Sequence, residues 1–276
     1  MLRPSSKLLA PALLVLLGAC ARSDTRSDKL APAPAGSPAV ESSVISFTMR
    51  TFEKTDGDCT IQLAVPEIVK APTPEARRAL QRFIHDQWLA ASFGASQGDD
   101  LAALAEGLFR QRREILAANP GVPGRWWVRR GIDVLYQDEG AVSLRYGDDS
   151  YTGGESPINE VLLASFDPAT GRRFKLADLL APGGEEPLRA LAEARFRQIR
   201  RVPPGAPLPL DGRFAVVEDG LLFRFNAFEL PGANGAEPAQ IVLTREELQG
   251  LVAADGPLAG AGLAGGDDGF FPAVPR

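Results

Sequence analysis

"WWVRRGIDVLYQDEGAVSLRY", Trp126 to Tyr146, decides the fold. Trp126, Val128, Ile132, Val134 and Tyr136 fall on one face of an extended chain. After "QDEG" turns the chain, Val142, Leu144 and Tyr146 continue that inward face. Side chains that repeat every second residue belong to a strand with one face in a core. Downstream, "EVLLASF" (Glu160–Phe166) is a near-continuous apolar run that suits a central strand. "FAVVEDGLLFRF" (Phe214–Phe225) reads as a hairpin with Asp219-Gly220, a type I′ pair, at its tip. "AQIVL" (Ala239–Leu243) is a last strand. Thr244 and Glu247 then form a Thr-x-x-Glu capping box opening a helix over "REELQGLVA". "KLADLL" and "PLRALAEARFRQIRR" also read as helical.

Upstream, "VISFTMRTFE" and "CTIQLAVPEI" flank Gly57 and predict another hairpin. Two helices follow. Thr73 caps the first and Pro74 fits its first turn; its apolar stripe is Leu80, Phe83, Ile84, Trp88 and Ala91. The second runs from Asp99 to a stop at Asn119-Pro120-Gly121, with Leu101, Leu104, Leu108, Ile115 and Leu116 as its stripe. Helices and hairpins are partly segregated and no regular βαβ repeat occurs. The expected class is α+β, a mostly antiparallel sheet with helices packed on one side. One globular domain is expected over 44–255, with an N-terminal part at 44–125 and a C-terminal part at 126–255. A Gly-rich, irregular tail follows over 256–276; its Phe270 and Phe271 are exposed unless they dock back.

The first 43 residues are of another kind. Arg3 and Lys7 precede the ten-residue apolar run "LLAPALLVLL". A bilayer span needs about twenty apolar residues, so residues 1–19 read as a signal peptide. "LGAC" resembles a bacterial lipobox with Cys20 as the acylated residue; Ala21 after it resembles sorting to the outer membrane. Residues 20–43, rich in Ala, Pro and Ser, read as a tether. The expected location is the bacterial envelope, held through Cys20 in the outer membrane and facing the periplasm. The chain carries a net charge of −5, and the loss of Arg3 and Lys7 with the signal leaves −7. An acidic chain is a poor match for nucleic acid and a better one for a basic partner. Cys59 is then the one remaining cysteine; its strand-like setting suggests a buried, inert thiol.

Little ordinary catalytic equipment is present. The single histidine, His85, lies among Arg82, Asp86 and Gln87 on the first helix and reads as a surface residue. No Gly-x-Ser-x-Gly elbow, P-loop or dinucleotide fingerprint occurs, and one His with one Cys does not make a zinc site. No cofactor or metal is expected. Asp148, Asp149 and Glu155 surround "YTGGESP" and offer the two carboxyl groups of a glycan hydrolase. The competing reading makes them turn and solvent residues. Trp126 and Trp127 offer either a sugar-stacking surface or one core and one surface aromatic.

"VSLRYGDDSYTGGESP" followed by "LLASFDPATGRRFKLADLL" resembles the RsiV-like family, domain of unknown function 3298. That family is known from the extracellular part of the RsiV anti-sigma factor and from the non-catalytic module of the peptidoglycan deacetylase PdaC. The matching residues are Ser143, Leu144, Tyr151–Gly154, Phe166, Asp167, Thr170, Gly171, Leu176, Asp178 and Leu179; "FELPGANG" (Phe228–Gly235) resembles a later loop. Glu155 and Ser156 stand where the family has Ala-His, and Arg172 where it has Lys. The resemblance implies a non-enzymatic module that binds lysozyme or peptidoglycan. The candidate binding residues of this chain are those of and beside the Gly-Gly loop: Asp148, Asp149, Tyr151, Gly153, Gly154 and Glu155. Gly153 and Gly154 are expected to take backbone angles closed to other residues, and Tyr151 and Phe166 to fill the core. A third reading is a structural envelope lipoprotein.

Overall fold

Five strands form the larger of two sheets: β1 (Ser46–Asp56), β2 (Cys59–Lys70), β3 (Trp126–Gln137), β4 (Val142–Tyr151) and β5 (Ile158–Phe166). They lie in sequence order, all neighbours antiparallel except β2 and β3. The parallel pair needs a crossover, and α1 (Pro74–Ala90) and α2 (Leu101–Ala118) supply it. A second antiparallel sheet holds β6 (Phe214–Val217), β7 (Gly220–Phe225) and β8 (Ala239–Thr244), and α3 (Glu185–Ile199) contacts β8. This computed structural model describes residues 44–90, 100–199, 208–230 and 238–259. All of them belong to one unit, Glu41–Arg276. The signal peptide, Cys20, the tether, Phe270 and Phe271 lie outside the described residues.

The α+β class and the mostly antiparallel pairing agree with the strand periodicities. The helices divide between the sheets. Leu101, Leu104, Ala105, Leu108 and Phe109 of α2 close over Cys59, Ile61, Leu63, Trp126 and Val128. Leu80 and Ile84 of α1 close over Ile132, Val142, Leu144 and Tyr146. Trp88 and Ala91, from the same predicted stripe, lie outside the described side chains. α3 packs Leu188, Ala192 and Phe196 against the smaller sheet, where Phe196 meets Phe225 edge-on at 4.8 Å. A fully buried side chain of this size contributes about 1.5–3 kcal/mol. Cys59 is buried at 1% exposure, and burial pushes its thiol pKa up, as befits an inert thiol.

Local chemistry sets the element ends. The Thr73 hydroxyl accepts from Ala76 N–H at 3.1 Å, and Asp100 Oδ1 accepts from Ala102 N–H at 2.9 Å. Gly57, with φ 57°, takes the first turn position between β1 and β2, where a type II′ hairpin uses glycine.

Three expectations are corrected. β5 is an edge strand, not a central one. Its apolar run arises because its second half is covered from both sides: Ala164 and Phe166 face the α1 core, while Leu163 meets Ala215 and Leu222 of the smaller sheet. The Asn226 carboxamide caps the edge, accepting from Val161 N–H at 2.8 Å and donating to Val161 C=O at 3.0 Å. The β6–β7 tip is Glu218-Asp219, because Gly220 already pairs with Val217. Gly220 has φ 143°, and a Cβ there would lie 2.1 Å from the Leu243 carbonyl oxygen, so close approach to β8 demands the glycine. The run after Thr244 forms the capping box, with Thr244 N–H donating to Glu247 at 2.9 Å, but continues as successive turns. Gly250, with φ 77°, breaks it before a helix can propagate.

Candidate functional site

The ends of β3 and β4 carry the residues marked for binding. A strand's alternation sends neighbouring residues to opposite faces, and this sorts the acidic pair. Asp148 lies opposite Arg130 on the helix-covered face, and Arg130 donates to its Oδ2 through Nε at 3.1 Å and Nη2 at 2.6 Å. Both side chains are buried, at 1% and 7% exposure, and Asp148 Oδ1 accepts no hydrogen bond. Asp148 therefore belongs to the interior. Asp149 points the other way, half-buried, with Arg129 as its cross-strand partner. Adjacent in sequence, the two carboxylates do not address one ligand.

Farther along the ladder, Trp127 stands opposite Tyr151. Both are half-buried, whereas Trp126 is 2% exposed. One tryptophan is thus core and the other surface. Tyr151 is corrected from core to surface, while Phe166 is core at 2% exposure. In the β2 register, Thr60 pairs with Trp127 and Gln62 with Arg129; on β5, Asn159 pairs with Asp149 and accepts from Arg224 at 3.0 Å. The result is a polar sheet face with two aromatic residues on one cross-strand rung. The pattern "WW" held this signal, but the partner of Trp127 required the strand register.

The loop from Thr152 to Pro157 borders this face. Gly153 has φ 85°, and a Cβ there would fall 2.6 Å from Val122 Cγ1 and 3.1 Å from Trp126 Nε1. It is a structural glycine on two counts. Gly154 has neither a positive φ nor a crowded Cβ position, which corrects its expected role. Glu155 and Ser156 are exposed beside it.

The other residues of the family resemblance build turns. Asp167 Oδ1 and Oδ2 accept from Ala169 N–H and the Thr170 hydroxyl at 2.8 and 2.7 Å. Gly171, φ 73°, presses on α1, where a Cβ would lie 2.6 Å from Ala79 Cβ. Asp178 accepts from Lys175 N–H and Arg172 at 2.7 Å each; the backbone donor first, then the guanidinium, holds its carboxyl below the ordinary range. Sequence reasoning passed over Arg130, which interrupts an apolar face, and the second buried ion pair, Arg145 Nη2 to Asp133 Oδ2 at 2.6 Å. Burial raises the Tyr146 hydroxyl well above its ordinary pKa, against the pull of Arg130. Among the described residues no three His, Cys, Asp or Glu side chains converge as a metal site would need.

No family model and no curated protein matches the sequence. Solved structures do match. A member of the family of domain of unknown function 3298 from Bacteroides fragilis superimposes with a TM-score of 0.59 at 16% identity, covering 79% of this chain and 98% of the other. A protein of the same family from Pseudomonas aeruginosa gives 0.48 at 16% identity over 78% and 94%. At this identity the likeness is one of fold: the chain folds as the Bacteroides member of that family does.

Proposed function

We propose that the chain is an RsiV-like, non-enzymatic binding module of the bacterial envelope, anchored through acylated Cys20, and that it takes a peptidoglycan glycan strand on the face of Trp127, Arg129, Asp149 and Tyr151. The observation that carries this reading is the cross-strand rung of two half-buried aromatic residues, Trp127 on β3 and Tyr151 on β4. Cross-strand aromatics bordered by amide, carboxylate and guanidinium groups suit a chain of sugars, which has apolar ring faces and polar rims. The burial of Asp148 with Arg130 takes it out of the carboxylate-hydrolase reading, which then needs Asp149 and Glu155 as its two acids. The net charge of −5 favours a second reading, capture of a basic lysozyme, through a faster encounter that salt weakens.

Co-sedimentation of the full chain with purified sacculi tests the first reading. Trp127→Ala and Tyr151→Ala are each expected to lower retention about tenfold, as loss of one stacking contact should. Equal retention of wild type and both variants overturns the glycan site. Mixing with lysozyme at low and moderate salt tests the second, and no complex at either removes it. Release of soluble fragments that stops with Asp149→Asn or Glu155→Gln would replace both with the hydrolase. Fatty-acid labelling that survives Cys20→Ala would sink the anchor.

A further inference from the structure

The turn after β7 holds an outlier. Phe228 has φ 65° and is the one non-glycine residue with positive φ among the described residues. It is also 79% exposed, more than any other large apolar side chain among them. Glu229 N–H donates to the Asn226 carbonyl at 3.2 Å and closes a four-residue turn with Phe228 in third place. Glycine or asparagine is usual where the third position alone has positive φ, because a Cβ crowds the backbone there. Neighbouring contacts fix this turn. Asn226 N–H donates to Glu229 Oε2 at 2.7 Å, and Arg213 pairs with Glu229 Oε1 at 2.8 Å. Phe225 before it is buried in the core of the smaller sheet, and Leu230 after it packs against that core.

An exposed apolar residue is ordinary by itself. One held out in a strained conformation calls for a cause. Where the backbone alone needs a positive φ this chain uses glycine, as at Gly57, Gly171 and Gly250. A glycine at position 228 would remove both the strain and the exposed ring. Strain that the surroundings hold in place clusters at sites of binding and catalysis. The position of the turn points to the ligand. Asn226 grips Val161 on the β5 edge, and Arg224 donates to Asn159, two residues along that strand. Asn159 stands opposite Asp149; Tyr151, two residues further along β4, stands opposite Trp127. At about 3.3 Å per residue, the Phe228 turn is anchored about 13 Å along the sheet from the Trp127–Tyr151 rung. No single sugar ring spans that interval, but a chain of sugars does. We propose that Phe228 is a further recognition residue of this face, an apolar platform at the β5 edge for a more distant sugar of the same glycan strand. The inference rests on the glycan reading of the Trp127–Tyr151 rung and gives that site its length.

Retention of the full chain on purified sacculi tests it, with Phe228→Gly and Phe228→Tyr measured beside Trp127→Ala and wild type. Phe228→Gly is expected to lower retention about tenfold, and Phe228→Tyr, which keeps the ring, to hold it. The unfolding midpoint of Phe228→Gly should be no lower than that of wild type, because glycine takes a positive φ freely and the ring removed is exposed. Competition with soluble chitooligosaccharides reads the length of the site. Six sugars should release the wild type at a concentration at least about tenfold lower than two sugars do, and Phe228→Gly should close most of that gap. Full retention of Phe228→Gly, with Trp127→Ala still lowered, overturns this inference and leaves the glycan reading standing. A fall in the midpoint of Phe228→Gly together with its retention makes Phe228 a structural residue and overturns the inference in the same way. Wild type that sacculi do not retain overturns the glycan reading, and the role of Phe228 with it.

Discussion

Arg130–Asp148 and Arg129–Asp149 are neighbouring rungs of one ladder with the same two residue types, and they lead different lives. The first is sealed between the α1 and α2 cores, with the guanidinium on a single carboxylate oxygen. The second is half-buried beside two aromatic rings on the opposite face. Composition does not separate them; the face does. A charge pair closed off from water must be matched or it is very costly, whereas an open pair exchanges its contacts with solvent almost evenly. The inner rung therefore pins strand register, while the outer one lies half-buried on the opposite face.

The largest expected effect tests that contrast directly. Asp148→Ala should destabilise the fold by about 3–5 kcal/mol in urea unfolding, because it removes the carboxylate that neutralises a buried guanidinium. Asp149→Ala should cost under about 1 kcal/mol. Equal costs would break the comparison. Replacing the inner pair with Arg130→Met and Asp148→Leu should recover most of the loss, since a well-packed apolar pair needs no desolvation of charge. The glycines of the neighbouring loop sharpen it further. Gly153→Ala is expected to cost about 1–3 kcal/mol, from its positive φ and its contact with Val122, and Gly154→Ala to stay within about 0.5 kcal/mol. A third measurement uses alkali. Burial, then the hydrogen bond to Asp138 at 2.6 Å, raises Tyr136 from an ordinary pKa of 10.0 to about 12. The folded state holds that proton more tightly than the unfolded chain. Its stabilising effect is complete below pH 10.0 and is lost as pH climbs toward about 12. Tyr136→Phe should flatten that decline, and an unchanged slope would refute the assignment. Trp127→Ala is expected to cost under about 1 kcal/mol in stability while its binding changes, the opposite of what Trp126→Ala should do.

Much of this was legible beforehand where the signal is local. Thr73 caps its helix, Gly57 turns its hairpin, and the alternation through Val142, Leu144 and Tyr146 reaches the core as expected, while the second helix, read from Asp99, starts at Leu101 with Asp100 as its cap. Errors fell where a distant segment decides. β5 looks central because other elements cover its second half, and Tyr151 looks like a core aromatic until its strand end is seen to run past the smaller sheet. The helix after Thr244 failed at Gly250, whose left-handed angle follows from the chain's path back to Leu179, where Ala253 N–H donates at 3.1 Å.

The sequence by itself determined the class of fold, the hairpins, the caps and the likeness in pattern to a known family, because period, turn chemistry and capping act over a few residues. Only the tertiary structure decided which aspartate of the 148–149 pair is interior, which residue partners Trp127 across the strands, and that Arg50 of β1 lines one cavity with Arg78 and Arg82 of α1. Those outcomes depend on register and on which faces are covered, and the free energy of a charge depends more on what closes over it than on the residues beside it in the chain.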